Sequence, residues 1–248
     1  MTRGARSISL YAQIGRTYLK WARSLLPLAV IVFIPVCFLH SIALQADIGS
    51  LDFDGGLQIF AAVAALAVLA ITGLLGEVFY TGAVAISLTH PHGGKPPPLR
   101  EIARMVNYRR LIAVDLIYGS IVAIGIVLLF APGVAAFVWL SLAAPVVEIE
   151  GKGVRGSFAR SARLVRGRFW TVFAVLVPLE LAGEAVTGLA TLLAHDLLGD
   201  TLVSEWLAGT LSNVAFTPFY AVAAVLLTVR LIREKDGDVA QLHPEPVR

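Results

Sequence analysis

Charge is what this sequence has least of. Only 15% of its 248 residues are Asp, Glu, Lys or Arg, where a soluble domain carries about a quarter. Cysteine is nearly absent: Cys37 stands alone in an apolar run, which excludes an intramolecular disulfide and a cysteine-built metal centre. Also missing are a phosphate-binding glycine loop, a dinucleotide fingerprint, a nucleophile elbow and a Ser-His-Asp order, so no familiar catalytic motif is present. What remains is apolar. The chain is 57% hydrophobic with a mean hydropathy of +0.79, and runs such as LQIFAAVAALAVLAITGLL span 57–75. A helix needs about 20 such residues to cross the hydrocarbon core of a bilayer. The predicted class is therefore an all-α, polytopic integral membrane protein.

Six spans emerge: Ser24–Leu44, Leu57–Leu75 (with the option of running on to Thr89), Leu111–Ala131, Val134–Val147, Phe169–Leu193 and Ala208–Leu231. The first is read as retained rather than as a cleaved signal, despite the small residues Ser41 and Ala43, because more than twenty residues precede it and a signal has a short basic leader. Between 111 and 147 a single helix would exceed about 50 Å. Pro132-Gly133 is a turn signal, so this stretch predicts a tight hairpin, with a re-entrant segment as the alternative. The chain divides into a cytoplasmic amphipathic segment (1–23), a six-helix transmembrane domain (24–231) and a cytoplasmic polar tail (232–248).

Charge placement provides an independent check. Arg3, Arg6, Arg16, Lys20 and Arg23 precede the first span. Lys95, Arg100, Arg104, Arg109 and Arg110 lie between the second and third, and Lys152, Arg155, Arg160, Arg163, Arg166 and Arg168 between the fourth and fifth. Arg230, Arg233, Lys235 and Arg248 follow the sixth. Those are all twenty basic residues, and a six-span chain puts every one on the same side. The opposite loops hold Asp47, Asp52, Asp54, Asp196, Asp200 and Glu205. The positive-inside rule then predicts that both termini are cytoplasmic.

Before the first, third and fifth spans the basic residues alternate with apolar ones at helical spacing. The stripes are Tyr11, Ile14, Tyr18 and Trp21; Leu99, Ile102 and Val106; and Phe158, Ala162, Val165 and Phe169. Each predicts a basic amphipathic helix at the cytoplasmic interface leading into a helical hairpin, a threefold arrangement. Arg155, Arg160, Arg163, Arg166 and Arg168 are then candidates for binding anionic lipid headgroups. A nucleic-acid grip would need exposed stacking platforms, and Phe158 and Phe169 lie on the lipid-facing stripe, so no nucleic-acid partner is expected.

The stretch APVVEIEGKGVRGSFARSARLVRGRFW, residues 144–170, resembles a signature of a family of multi-span bacterial proteins named for the membrane domain of glycerophosphoryl diester phosphodiesterases. Pro145, Glu150, Gly151, Gly153, Ser157, Arg160, Ser161, Leu164, Gly167 and Phe169-Trp170 carry the resemblance. It implies a six-helix bundle in the plasma membrane. Fused members carry a phosphodiesterase domain after the last span. No His-Arg-Gly or carboxylate-rich metal motif of that enzyme occurs here, so the activity does not carry over.

Four carboxylates fall within or beside the spans. Glu180 and Glu184 are one helical turn apart, and Glu77 and Asp115 lie nearer the cytoplasm. Buried acids are costly and by default suggest an ion, proton or substrate path. The plainer alternative is that they hydrogen-bond between helices and only hold the bundle together. Pro178, just before the pair, is expected to free a backbone carbonyl there. His90-Pro91-His92 reads as a turn rather than a metal site, and His40 and His195 as polar caps at the opposite interface. No catalytic residue, cofactor or metal-ligand set is expected. The functional classes compatible with this are a scaffold or membrane-organising protein held to anionic lipid, a small transporter or lipid-handling permease using Glu180 and Glu184, and a membrane partner for a soluble phosphodiesterase. A second copy or another membrane protein is a compatible partner in each.

Overall fold

Polar backbone groups among apolar side chains must find partners within their own segment, and this chain finds them by coiling. The computed structural model describes residues 3–45, 76–90 and 97–237. Nine helices follow one another in these residues: α1 (Arg3–Gln45), α2 (Glu77–Thr89), α3 (Leu99–Met105), α4 (Tyr108–Leu128), α5 (Phe130–Leu140), α6 (Ala143–Glu150), α7 (Val154–Val165), α8 (Phe169–Leu198) and α9 (Leu202–Asp236). No strand occurs among the described residues. Five stretches are long and apolar enough to cross a membrane: Leu10–Ile42, Tyr108–Leu128, Phe130–Glu150, Phe169–Leu198 and Leu202–Asp236. The expected span Leu57–Leu75 and the acidic residues Asp47, Asp52 and Asp54 lie outside the described residues. α2 matches the continuation to Thr89.

The packing centres on α9, which lies against α1, α8 and α2. Its stretch Ala221–Val225, with Leu227, Leu231 and Ile232, is almost fully buried. α8 is the opposite case. Leu181, Leu189, Leu192, Leu193 and Leu197 are all more than half exposed, an apolar surface of the kind lipid solvates.

Two sequence expectations change here. The amino-terminal segment is not a separate interfacial helix. From Arg3 it is continuous with the first span, making one helix of 43 residues, about 65 Å long. Its stripe faces protein: Ile14 and Trp21 are buried, and Tyr18 stacks on Phe219 at 3.9 Å between ring centres. The break within 111–147 also moves. It falls at Leu129, whose backbone is extended, and Pro132-Gly133 sits in the first turn of α5, where proline's missing N–H costs nothing. Gly133 is there for contact. A Cβ on it would come within 2.7 Å of the Ile126 Cα, and one on Gly125 within 2.8 Å of the Gly133 Cα. The second arm bends again at Ser141-Leu142 between α5 and α6.

α7 is a helix at the expected place, but its buried face is Ser157, Ser161, Leu164 and Val165, turned toward the bundle. Phe158, Ala162 and Phe169 are half-buried, with Phe158 and Phe169 packed against the core. α3 likewise buries Ile102. Periodicity alone cannot distinguish a stripe that meets lipid from one that meets protein.

Candidate functional site

Polar side chains inside the bundle gather around a cavity of about 130 Å³, room for several waters at roughly 30 Å³ each. Three of the four predicted carboxylates line it: Glu77 from the start of α2, and Glu180 and Glu184 from α8. Glu77 thus shares one space with the α8 pair. Glu77 and Glu180 are half-buried, and Glu184 is exposed. Among the described residues, no Lys or Arg lines the cavity.

α1 adds Cys37, His40 and Ser41, and α9 adds Glu205, Ser212, Asn213, Thr217 and Tyr220. These α9 residues, spaced seven, one, four and three positions apart, fall on one face and make a polar stripe down an otherwise apolar helix. Ser212, Asn213 and Thr217 among them are held by hydrogen bonds. Thr217 donates to the Asn213 side-chain oxygen at 3.0 Å, Asn213 donates to the Gly209 carbonyl at 2.9 Å, and the Thr187 hydroxyl of α8 donates to Ser212 at 3.0 Å. Gly183 permits the close α8–α9 approach, since a Cβ there would meet the Phe216 ring at 2.9 Å. From Glu205 to Tyr220 the stripe descends about 22 Å. Aromatic rings close its lower end. Phe33 and Tyr80 pack ring to ring at 5.6 Å, Phe137 and Tyr220 at 6.2 Å, and both Phe33 and Tyr80 are fully buried.

Pro178 lies half a turn before Glu180. Having no N–H, it leaves the Ala174 carbonyl without a helical donor. The hydroxyl of Tyr11 takes that place, donating to it at 2.8 Å.

Asp115 does not join the cavity wall. Its Oδ2 accepts the backbone N–H of Gly76 at 2.8 Å, capping α2 from a neighbouring helix; the local N-cap, Gly76, has no side chain to do so. Glu148 of α6 likewise accepts the Asn107 N–H at 3.1 Å at the start of α4. Sequence reasoning did not single out Glu148, because a cap supplied across 41 positions leaves no local pattern.

The arginine-rich stretch sorts into two groups. Arg160 is committed within the protein. Its Nε lies 2.9 Å from Glu150 Oε1, and its Nη2 pairs with Asp236 at the end of α9. Arg168 pairs with Glu234 at 3.1 Å, and Lys235 donates to the carbonyls of Arg163 and Arg166, closing the carboxyl end of α7. Arg155, Arg163 and Arg166 carry exposed side chains. The rest of the quoted stretch is architectural. Pro145 and Leu164 are buried, and Gly153 caps the start of α7. Gly151 ends α6 at φ +63°, a left-handed conformation that favours glycine, and Gly167 sits at φ +81°. Ser161, fully buried, donates to the Trp139 carbonyl at 2.8 Å and accepts the Leu142 N–H at 3.2 Å, satisfying both sides of the α5–α6 bend.

Among the described residues, no three or more His, Cys, Asp or Glu are gathered closely enough to hold a metal ion. The chain is an all-helical protein with five helices suited to a membrane. No known protein-family model, curated protein or solved structure matches it.

Proposed function

We propose that this is a six-span plasma-membrane protein with both termini cytoplasmic, working as a small transporter that admits a proton or an ammonium-type cation into a carboxylate-lined cavity from the outer face. The observation that carries this reading is that Glu77, Glu180 and Glu184 border one cavity with room for several waters and, among the described residues, no Lys or Arg beside them. Intramembrane acids without a basic partner recur on ion and proton paths. The aromatic floor of Phe33, Tyr80, Phe137 and Tyr220 supports an outward-facing half-channel rather than an open pore. We assign the protein no catalytic activity.

The test is uptake into proteoliposomes, followed with a lumenal pH dye and with labelled methylammonium. Wild-type protein is expected to drive uptake, and Glu180→Gln and Glu77→Gln to reduce it at least about tenfold, the loss of roughly 1.4 kcal/mol of cation stabilisation. Uptake unchanged in both variants would sink the reading.

A second reading has its own support. The exposed Arg155, Arg163 and Arg166 suit a scaffold held to anionic headgroups. On that reading their loss weakens function while the Gln variants do not.

A further inference from the structure

The acidic end of the cavity has a side chain poised on its rim. His195, near the end of α8, places Nδ1 2.8 Å from Oδ1 of Asp200 in the α8–α9 turn, and Nε2 2.8 Å from Oε1 of Glu205 on α9. The second contact is at ion-pair distance without the alignment of a hydrogen bond. Asp200 is 88% exposed and Glu205 only 23%, and Glu205 lines the cavity. One ring therefore joins a loop in solvent to the wall of the internal space.

The chemistry of that ring makes the junction conditional. A neutral imidazole carries a single N–H, and its other nitrogen presents a lone pair. Held between two carboxylates, the neutral ring attracts one and turns its lone pair on the other. Only the imidazolium draws in both. Among the described residues, the groups around the ring include no Lys or Arg. Asp196 is the next residue on α8, Glu184 lies about 16 Å deeper on the same helix, and the α1 group nearby is His40, on which the field of Glu205 acts.

The turn is itself tied down, its Gly199 carbonyl accepting the Ser204 hydroxyl at 2.7 Å and the Thr201 N–H at 3.0 Å, so the exposed Asp200 side chain is the part a change at His195 can move. Trp206 donates its ring N–H to the Ile34 carbonyl at 3.0 Å, fixing the first turns of α9 to α1, and Thr201 and Ser204 form a reciprocal capping box at its start. We infer that His195 is a proton-operated latch on the cavity mouth. Protonated, it holds the Asp200 side chain toward Glu205 and narrows entry; neutral, it releases Asp200 and widens it. The inference rests on the transport reading for its purpose, but on the His195 geometry for its existence.

The chain supplies its own reporter. Cys37, its only cysteine, is 5% exposed and lines the cavity one turn of α1 from His40. Full-length protein in proteoliposomes would be labelled with a small membrane-impermeant thiol reagent between pH 5 and pH 8. Each rate is divided by that of the denatured protein at the same pH, which removes the thiolate's own titration. The normalised wild-type rate should rise roughly three- to fivefold across that range, the population shift a surface ion pair commands. In His195→Gln and in Asp200→Asn it should be flat. Asp200 is outside the cavity wall and highly exposed, so that variant keeps the test decisive if His195→Gln fails to fold. A flat wild-type profile, or an unchanged rise in the variants, overturns the latch. Access is read here without uptake, so the two proposals fail separately: pH-independent labelling with Glu180-dependent uptake intact removes only the latch, and pH-gated labelling without uptake removes only the transport reading.

Discussion

The carboxyl group of Asp115 accepts the backbone N–H of Gly76 at 2.8 Å across 39 positions of sequence, so α4 caps a helix to which it does not belong. The first-turn amides of a helix have no partner in their own ladder, and a buried one left without an acceptor is costly. Asp115→Ala should therefore destabilise the protein by about 1.5–3 kcal/mol, and Asp115→Asn, which keeps an acceptor oxygen, by clearly less. Thermal unfolding in detergent measures both. Equal losses would mean the hydrogen bond is not what matters at this position.

Ser161 offers a second test of the same logic. It serves a carbonyl and an amide at the α5–α6 bend while fully buried. Ser161→Ala strands both and should cost about 2–4 kcal/mol, one to two unsatisfied backbone groups. Chymotrypsin accessibility near Trp139 should rise in parallel.

Arg160 and Arg163 should separate although they are three residues apart. Glu150 is only 6% exposed, so Arg160→Ala leaves a nearly buried carboxylate with Lys152 as its remaining cation, 3.3 Å away. A loss of about 2–4 kcal/mol in stability is expected. Arg163→Ala should shift stability by less than about 0.5 kcal/mol and instead lower affinity for phosphatidylglycerol vesicles in flotation assays.

Gly133→Ala forces a methyl against the backbone at Ile126 and should cost about 1–3 kcal/mol or prevent folding. Gly188, inside α8, has nothing within 4 Å of where a Cβ would go. Gly188→Ala should stabilise by about 0.5–1 kcal/mol through helix propensity. Opposite signs from the same chemical change, read as melting temperatures, are the expected result.

The helices were largely legible because apolar runs and bilayer thickness constrain one another; α8 and α9 match the expected fifth and sixth spans with a few residues added at their ends. The Pro132-Gly133 signal pointed to the right region but to the wrong residue, since proline opens a helix as readily as it ends one. At the cavity, Glu180 and Glu184 stood out as acids in an apolar run. Their association with Glu77, and the polar stripe from Glu205 to Tyr220, depend on how helices face one another. The stripe's 3.6-residue period was present in the sequence and was the signal that could have revealed it. Arg160 looked identical to Arg163 because partners such as Asp236, 76 positions away, leave no mark on local spacing.

Tyr11 fills the gap that Pro178 opens in α8, which makes the amino-terminal end a strut for the helix bearing Glu180. A tag or partner that pulled on the first turns of α1 would loosen that carbonyl and tilt the acid-bearing segment above it. The beginning of the chain and its mid-helix acid are thereby parts of a single lever.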